Sequence, residues 1–260
     1  MPFAAIAGTQ LHYADDGPAG APALVLSNSL GADLTMWAPQ VDALARTFRV
    51  IRYDTRGHGR SGVTPGPYTI GLLGRDVVAL LDHLEIGRAH VCGLSLGGMT
   101  GMWLGVHAPD RVGRLVLANT AARMAPPDLW NARIEKVNAG GMAAISDAVL
   151  ARWFTPAFAA REPATLARTK AIMESLPPAG YVACCAAIRE MDQRHDIARI
   201  EAPTLVITGE HDAATPPSEG AYLAAQIRGA RIVQLPAAHV SNIEAPAAFT
   251  AALTSFLNEA

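Results

Sequence analysis

The chain has 260 residues, enough for one large domain or for a core carrying an inserted lid. Apolar residues make up 50% and charged residues 17%, which supplies a sizeable core and excludes a disordered chain. A formal net charge of -2 gives no general pull toward nucleic acid or an anionic membrane, so any anion must be held by a local cluster.

The N-terminus, Met1-Pro2-Phe3-Ala4-Ala5-Ile6, lacks a basic segment followed by a long apolar run. No stretch approaches the ~20 apolar residues that span a bilayer. Cys92, Cys184 and Cys185 offer no metal-ligand spacing and only a strained vicinal pair, so reduced thiols are expected. A cytoplasmic protein without membrane or nucleic-acid partners is the expectation; the oligomeric state is left open.

In chain order, the segments 3–7 and 11–14 read as an antiparallel start. Further β-branched and aliphatic runs follow at 23–28, 48–53, 90–92, 114–118, 204–208 and 231–235. Runs such as Ala23-Leu24-Val25-Leu26 and Leu205-Val206-Ile207 suit strands buried on both faces. Helical patterns fall between them at 37–46, 70–84, 96–107, 219–228 and 246–258, the last with Pro246 in its first turn. This alternation predicts an α/β fold, a mostly parallel eight-stranded sheet flanked by helices. From Ala121 to about Ile200 no strand is evident. Short helical patterns there are punctuated by Pro126, Pro127, Pro156, Pro163, Pro177 and Pro178. A helical insertion over 123–199 is therefore expected between core segments 1–122 and 200–260.

His90-Val91-Cys92-Gly93-Leu94-Ser95-Leu96-Gly97-Gly98 carries the strongest chemical signal. A strand runs into Gly93-x-Ser95-x-Gly97 and a helical pattern follows at once. A serine on so sharp a turn has strained backbone angles and needs neighbours without Cβ atoms. Its hydroxyl then stands at the carboxyl edge of the sheet, above a helix N-terminus that favours a developing oxyanion. Such a serine needs an oriented base. Among eight histidines, His239 lies in a loop after the last strand, on the same sheet edge. His12 and His90 lie in strands, His83 and His107 in helical patterns, His58 after an early strand and His195 in the insertion. The acid should follow the strand between them. Gly209-Glu210-His211-Asp212 offers Asp212, with Glu210 as rival and His211 as bystander.

Oxyanion donors are expected from the backbone N–H groups of Leu96, after the nucleophile, and Leu30, in the loop after the 23–28 strand. Asp54-Thr55-Arg56-Gly57-His58-Gly59-Arg60-Ser61 has the glycines of a phosphate loop but neither its lysine nor its direct helix start. It reads as a self-bonded structural loop. Nothing supports a metal site, and no cofactor is expected.

These segments together resemble the α/β-hydrolase family. Within it, Leu26-Ser27-Asn28-Ser29-Leu30-Gly31 and Tyr181-x-Ala183-Cys184-Cys185-Ala186-Ala187-Ile188-Arg189-x-Met191-Asp192 are similar to the bacterial 3-oxoadipate enol-lactonases. Many members of the wider family carry His-Gly where this chain has Asn28-Ser29, and the enol-lactonases share the departure. The resemblance implies a helical cap and a serine hydrolase that opens 3-oxoadipate enol-lactone, a small-molecule substrate bearing a carboxylate, in aromatic catabolism. It also implies a cation for that carboxylate, for which Arg133 and Arg189 are candidates, with Trp130 as an apolar wall. The alternatives are a carboxylesterase or perhydrolase-like esterase, a C–C bond hydrolase, and a non-catalytic ligand receptor on the same scaffold.

Overall fold

A computed structural model describes residues 1–6, 8–124 and 126–259. Its strands are β1 (Phe3–Ile6), β2 (Thr9–Asp16), β3 (Ala23–Ser27), β4 (Arg49–Tyr53), β5 (Ala89–Leu94), β6 (Val112–Ala118), β7 (Thr204–Gly209) and β8 (Arg231–Leu235). Each coincides with an expected strand; Ala7, expected to end the first, lies outside the described residues. They form one eight-stranded sheet in the order β1-β2-β4-β3-β5-β6-β7-β8. The first two pairings are antiparallel and the remaining five are parallel.

The parallel strands are joined by crossovers through α1 (Ala38–Leu44), α2 (Ile70–His83), α3 (Leu96–His107) and α9 (Pro217–Gln226). The short α10 (Ser241–Glu244) and then α11 (Pro246–Leu257) follow β8. Helix α1 packs against α11, and α2 packs against α3. That second contact is close because Gly74 has no side chain: a Cβ there would lie 1.9 Å from the Trp103 ring.

Strands β3 and β7 are buried throughout, as a sheet covered on both faces requires. Strand β8 departs from that expectation. It is the sheet's edge, and of its residues only Leu235 is buried. Arg231 and Gln234 suit that exposed position.

Between β6 and β7 the described residues form α4 (Pro127–Gly140), α5 (Ala143–Trp153), α6 (Pro156–Arg161), α7 (Pro163–Ser175) and α8 (Pro178–Glu190). Each begins with a proline at its first or second position except α5, so prolines expected to punctuate the segment in fact start its helices. One isolated bridge, Arg123 to Asp192, closes its base.

Helix α8 docks this segment on the core. A Cβ on Gly180 would lie 2.1 Å from the Gly57 carbonyl, so the backbones touch there. The Tyr68 N–H also donates to the Ala183 carbonyl at 3.2 Å. A second anchor joins α5 to the loop after β8, where the Val240 N–H donates to the Trp153 carbonyl at 3.2 Å.

Candidate active site

Strand β5 ends at Leu94, and α3 begins at Leu96. Ser95 between them holds φ 56 and ψ -113, a left-handed conformation that a side chain adopts only when its surroundings impose it. They do so from both sides. The Ser95 N–H donates to the Ala118 carbonyl at 2.9 Å, and the Thr120 hydroxyl donates to the Ser95 carbonyl at 2.8 Å. The flanking glycines are sterically required. A Cβ on Gly93 would lie 2.1 Å from the Gly97 carbonyl oxygen, and one on Gly97 would lie 2.1 Å from that of Ser27.

Asp212 follows β7 by three residues and is almost wholly buried. Its Oδ1 accepts the N–H groups of Ala214 and Thr215 at 2.7 and 2.9 Å. Its Oδ2 accepts the Thr215 hydroxyl at 2.7 Å, the Asn119 amide at 3.0 Å and His239 Nδ1 at 2.9 Å. Burial pushes the carboxyl up, but the positive field of His239 and these donors outweigh it and hold Asp212 down at about 2. It is an anion across the range in which proteins fold. That anion fixes the His239 proton on Nδ1 and leaves Nε2 available as a base. Glu210, the rival acid, is exposed, and its N–H joins the Leu235 carbonyl away from this network.

Ser95 and His239 border one small cavity, about 50 Å³ as the space open to the centre of a water molecule. No hydrogen bond joins the Ser95 hydroxyl to the imidazole in this conformation. Such contacts commonly tighten only in the substrate complex. Leu30 also lines the cavity. Leu96 supplies the first N–H of α3, where no preceding turn provides an acceptor. The adjoining Gly31 N–H is taken by His58 Nε2 at 3.1 Å, which ties the Leu30 turn to the Asp54–Ser61 loop.

That loop bonds to itself and to its neighbours, as its composition suggested. Asp54 accepts the N–H groups of Leu34 and Arg60, both at 2.8 Å, and pairs with His12 at 2.7 Å. The Ser61 hydroxyl donates to the Asp54 carbonyl at 2.6 Å. Arg56 pairs with buried Asp76 at 2.5 Å.

The helical segment supplies the cavity's opposite wall. Trp130 and Arg133, one turn apart on α4, both line it, with the guanidinium 4.8 Å from the ring centroid. Arg189 does not reach it. Its guanidinium donates to Glu190 and to Asn131, both at 2.7 Å, because the docking of α8 turns that residue away. Cys184 and Cys185 are buried free thiols within the same helix.

Three residues of the site were missed in the sequence. Asn119 follows β6 directly, and its side chain joins Asp212 to the Ala238 carbonyl and to the Ser241 hydroxyl. Thr215 hydrogen-bonds both Asp212 and His239. Arg152, at the end of α5, lines the cavity beside Arg133. Partial burial and then the charge of Arg133 lower it from the ordinary arginine value. Position at a strand's carboxyl edge was an available signal for Asn119; none marked Arg152.

Relatives share this architecture. A family model described as the alpha/beta hydrolase fold matches residues 22–246. The 3-oxoadipate enol-lactonase 2 of Acinetobacter baylyi is 42% identical over 95% of this chain and 92% of its own. A RutD protein of Caulobacter sp., provisionally named a carbamate hydrolase, is 34% identical over 95% of each chain. The crystal structure of the enol-lactonase from Burkholderia xenovorans LB400 superposes with a TM-score of 0.98 at 50% identity, covering 99% of this chain and 100% of that one. With a matching model over most of its length and relatives along nearly all of it, the chain belongs to the α/β-hydrolase fold family.

Proposed function

We propose that this hydrolase opens 3-oxoadipate enol-lactone to 3-oxoadipate, with Ser95 as nucleophile, His239 as base and Asp212 as the anion that orients it. The observation that carries the reading is the convergence, on one cavity, of the Ser95 turn, the Asp212-bound imidazole and two guanidiniums without a carboxylate partner among the described residues. A lactone bearing a carboxylate meets both halves of that wall. The 42% and 50% identities to enol-lactonases favour the same substrate.

In this mechanism His239 Nε2 takes the Ser95 proton as Oγ attacks the lactone carbonyl. The N–H groups of Leu30 and Leu96 hold the tetrahedral oxyanion. The ring C–O bond breaks and the enolate leaves, to take up a proton and become a ketone. A stable enolate departs more readily than an alkoxide, so little proton donation is needed there. Water, deprotonated by His239, then splits the acyl-enzyme. Arg133 receives the substrate carboxylate and Trp130 covers the ring, so residues 123–199 act as a cap over a core formed by 1–122 and 200–260.

The test compares kcat/KM for 3-oxoadipate enol-lactone with that for a neutral aryl acetate. A preference of several orders of magnitude for the lactone is expected; parity would demote the chain to a general esterase. A second reading, carbamate hydrolysis by the same three residues, is favoured by the 34% identity to the RutD protein. Faster turnover of a small carbamate than of the lactone would establish it instead.

A further inference from the structure

The catalytic cavity holds one more cation than a lactone monoanion requires. Arg49, Arg52, Arg56 and Arg111 each meet an aspartate. Arg133 and Arg152 meet none among the described residues, yet both line the cavity of Ser95 and His239. Asp212 forms an ion pair with neither, its two oxygens already accepting five donors, although its charge reaches Arg152 and raises it. Two like charges beside one small cavity repel, and an anion of matching charge relieves both.

The position of Arg152 decides which anion it meets. Its Nη2 donates to the Ala213 carbonyl at 2.7 Å, next in sequence to Asp212. This holds the guanidinium beside the loop whose Ala214 and Thr215 line the cavity. On its other side Arg152 borders a crevice of about 620 Å³, together with Arg161, His211 and Ala213. Arg152 is thus the wall shared by the reaction cavity and a wider crevice of mixed charge, which also holds Glu244 and Arg161, the latter paired with Glu162. Arg133 lines the same cavity from α4.

We propose that Arg152 is a specificity-determining residue that takes up the second carboxylate, the one created by hydrolysis, so that the pocket is matched to a dicarboxylate. The proposal rests on the carboxylate-bearing lactone as substrate. Water adds its oxygen to the acyl carbon as the bond to Ser95 Oγ breaks. One proton returns to Ser95 through His239, and the new carboxylic acid releases another to solvent. A monoanionic substrate has become a dianion. Arg133 keeps the original carboxylate, while Arg152 holds the new one on the side that faces the outer crevice.

The experiment uses the full chain carrying Ser95→Ala, with adipate and hexanoate as calorimetric probes of equal chain length. Adipate is expected to bind about tenfold or more tighter than hexanoate, the worth of one added charge-assisted contact. Adding Arg152→Met should remove that advantage while weakening hexanoate by less than about threefold, with an unchanged circular dichroism spectrum. Arg152→Lys should restore part of it. Arg152→Gln, which keeps a donor for Ala213, should behave like the methionine variant and repeats the test should that one fold poorly. Equal binding of the two probes, or an adipate advantage that survives Arg152→Met or Arg152→Gln, overturns the proposal. Failure of the unsubstituted chain to turn over the lactone, alongside an Arg152-dependent preference for adipate, removes the substrate reading and leaves the two-cation pocket standing.

Discussion

At the scale of single residues, the site depends on which proton sits on which atom. Asp212 holds the Nδ1 proton of His239 by charge, so Asp212→Asn, which keeps the shape and loses the anion, should lower kcat by about 10³–10⁴. Ser95→Ala should cost about 10⁴ or more in kcat with little change in thermal midpoint. Steady-state assays and calorimetry on the two variants check both. A folded Ser95→Ala protein with full activity would remove the nucleophile assignment. Asn119 acts differently, as a tie between the acid and the loop carrying His239. Its contribution should appear as a modest loss of kcat in Asn119→Ala, smaller than that of Asp212→Asn.

At the scale of elements, the turns around the site are set by close backbone approach and by one buried imidazole. Gly97→Ala would push a methyl to 2.1 Å from the Ser27 carbonyl oxygen, so a loss of about 3 kcal/mol in urea unfolding is expected. His58 is fully buried and accepts the Gly31 N–H on Nε2, which demands the neutral ring. Burial lowers it to about 4. The unfolded chain protonates near pH 6.5 and the folded chain only near pH 4, so stability falls as pH drops through that window. The contribution present above pH 6.5 and lost by pH 4 is about 3 kcal/mol. His58→Gln, with an amide acceptor that does not titrate there, should flatten the decline. Urea midpoints at pH 7 and pH 4.5 read the difference, and equal slopes for the two proteins would contradict the assignment.

At the scale of the whole molecule, the cavity is closed between the strand ends and the helices that the described residues form between β6 and β7. Their docking rests on tight contacts, above all Gly180 against Gly57. Gly180→Ala should wedge α8 off the Asp54–Ser61 loop, costing about 1–3 kcal/mol and raising KM more than it lowers kcat. Stability and kinetics measured on the same preparation test this. An unchanged KM would mean that α8 does not set the shape of the pocket.

Much of this was legible from residue order alone, because it depends on interactions short in sequence. The central strands, β3 and β7 above all, are apolar runs bounded by turn residues. The Ser95 turn is written in its own glycines, and the order Ser95, Asp212, His239 follows from which loops trail parallel strands. Contacts made across the sheet were not legible. Placing β6 between β5 and β7 carries Asn119 to Asp212, and the docking of α5 and α8 brings Arg152 to the cavity while turning Arg189 outward. A helical pattern reports that one face is buried but not what it is buried against. Only tertiary packing chooses the partner, and with it which arginines a substrate meets.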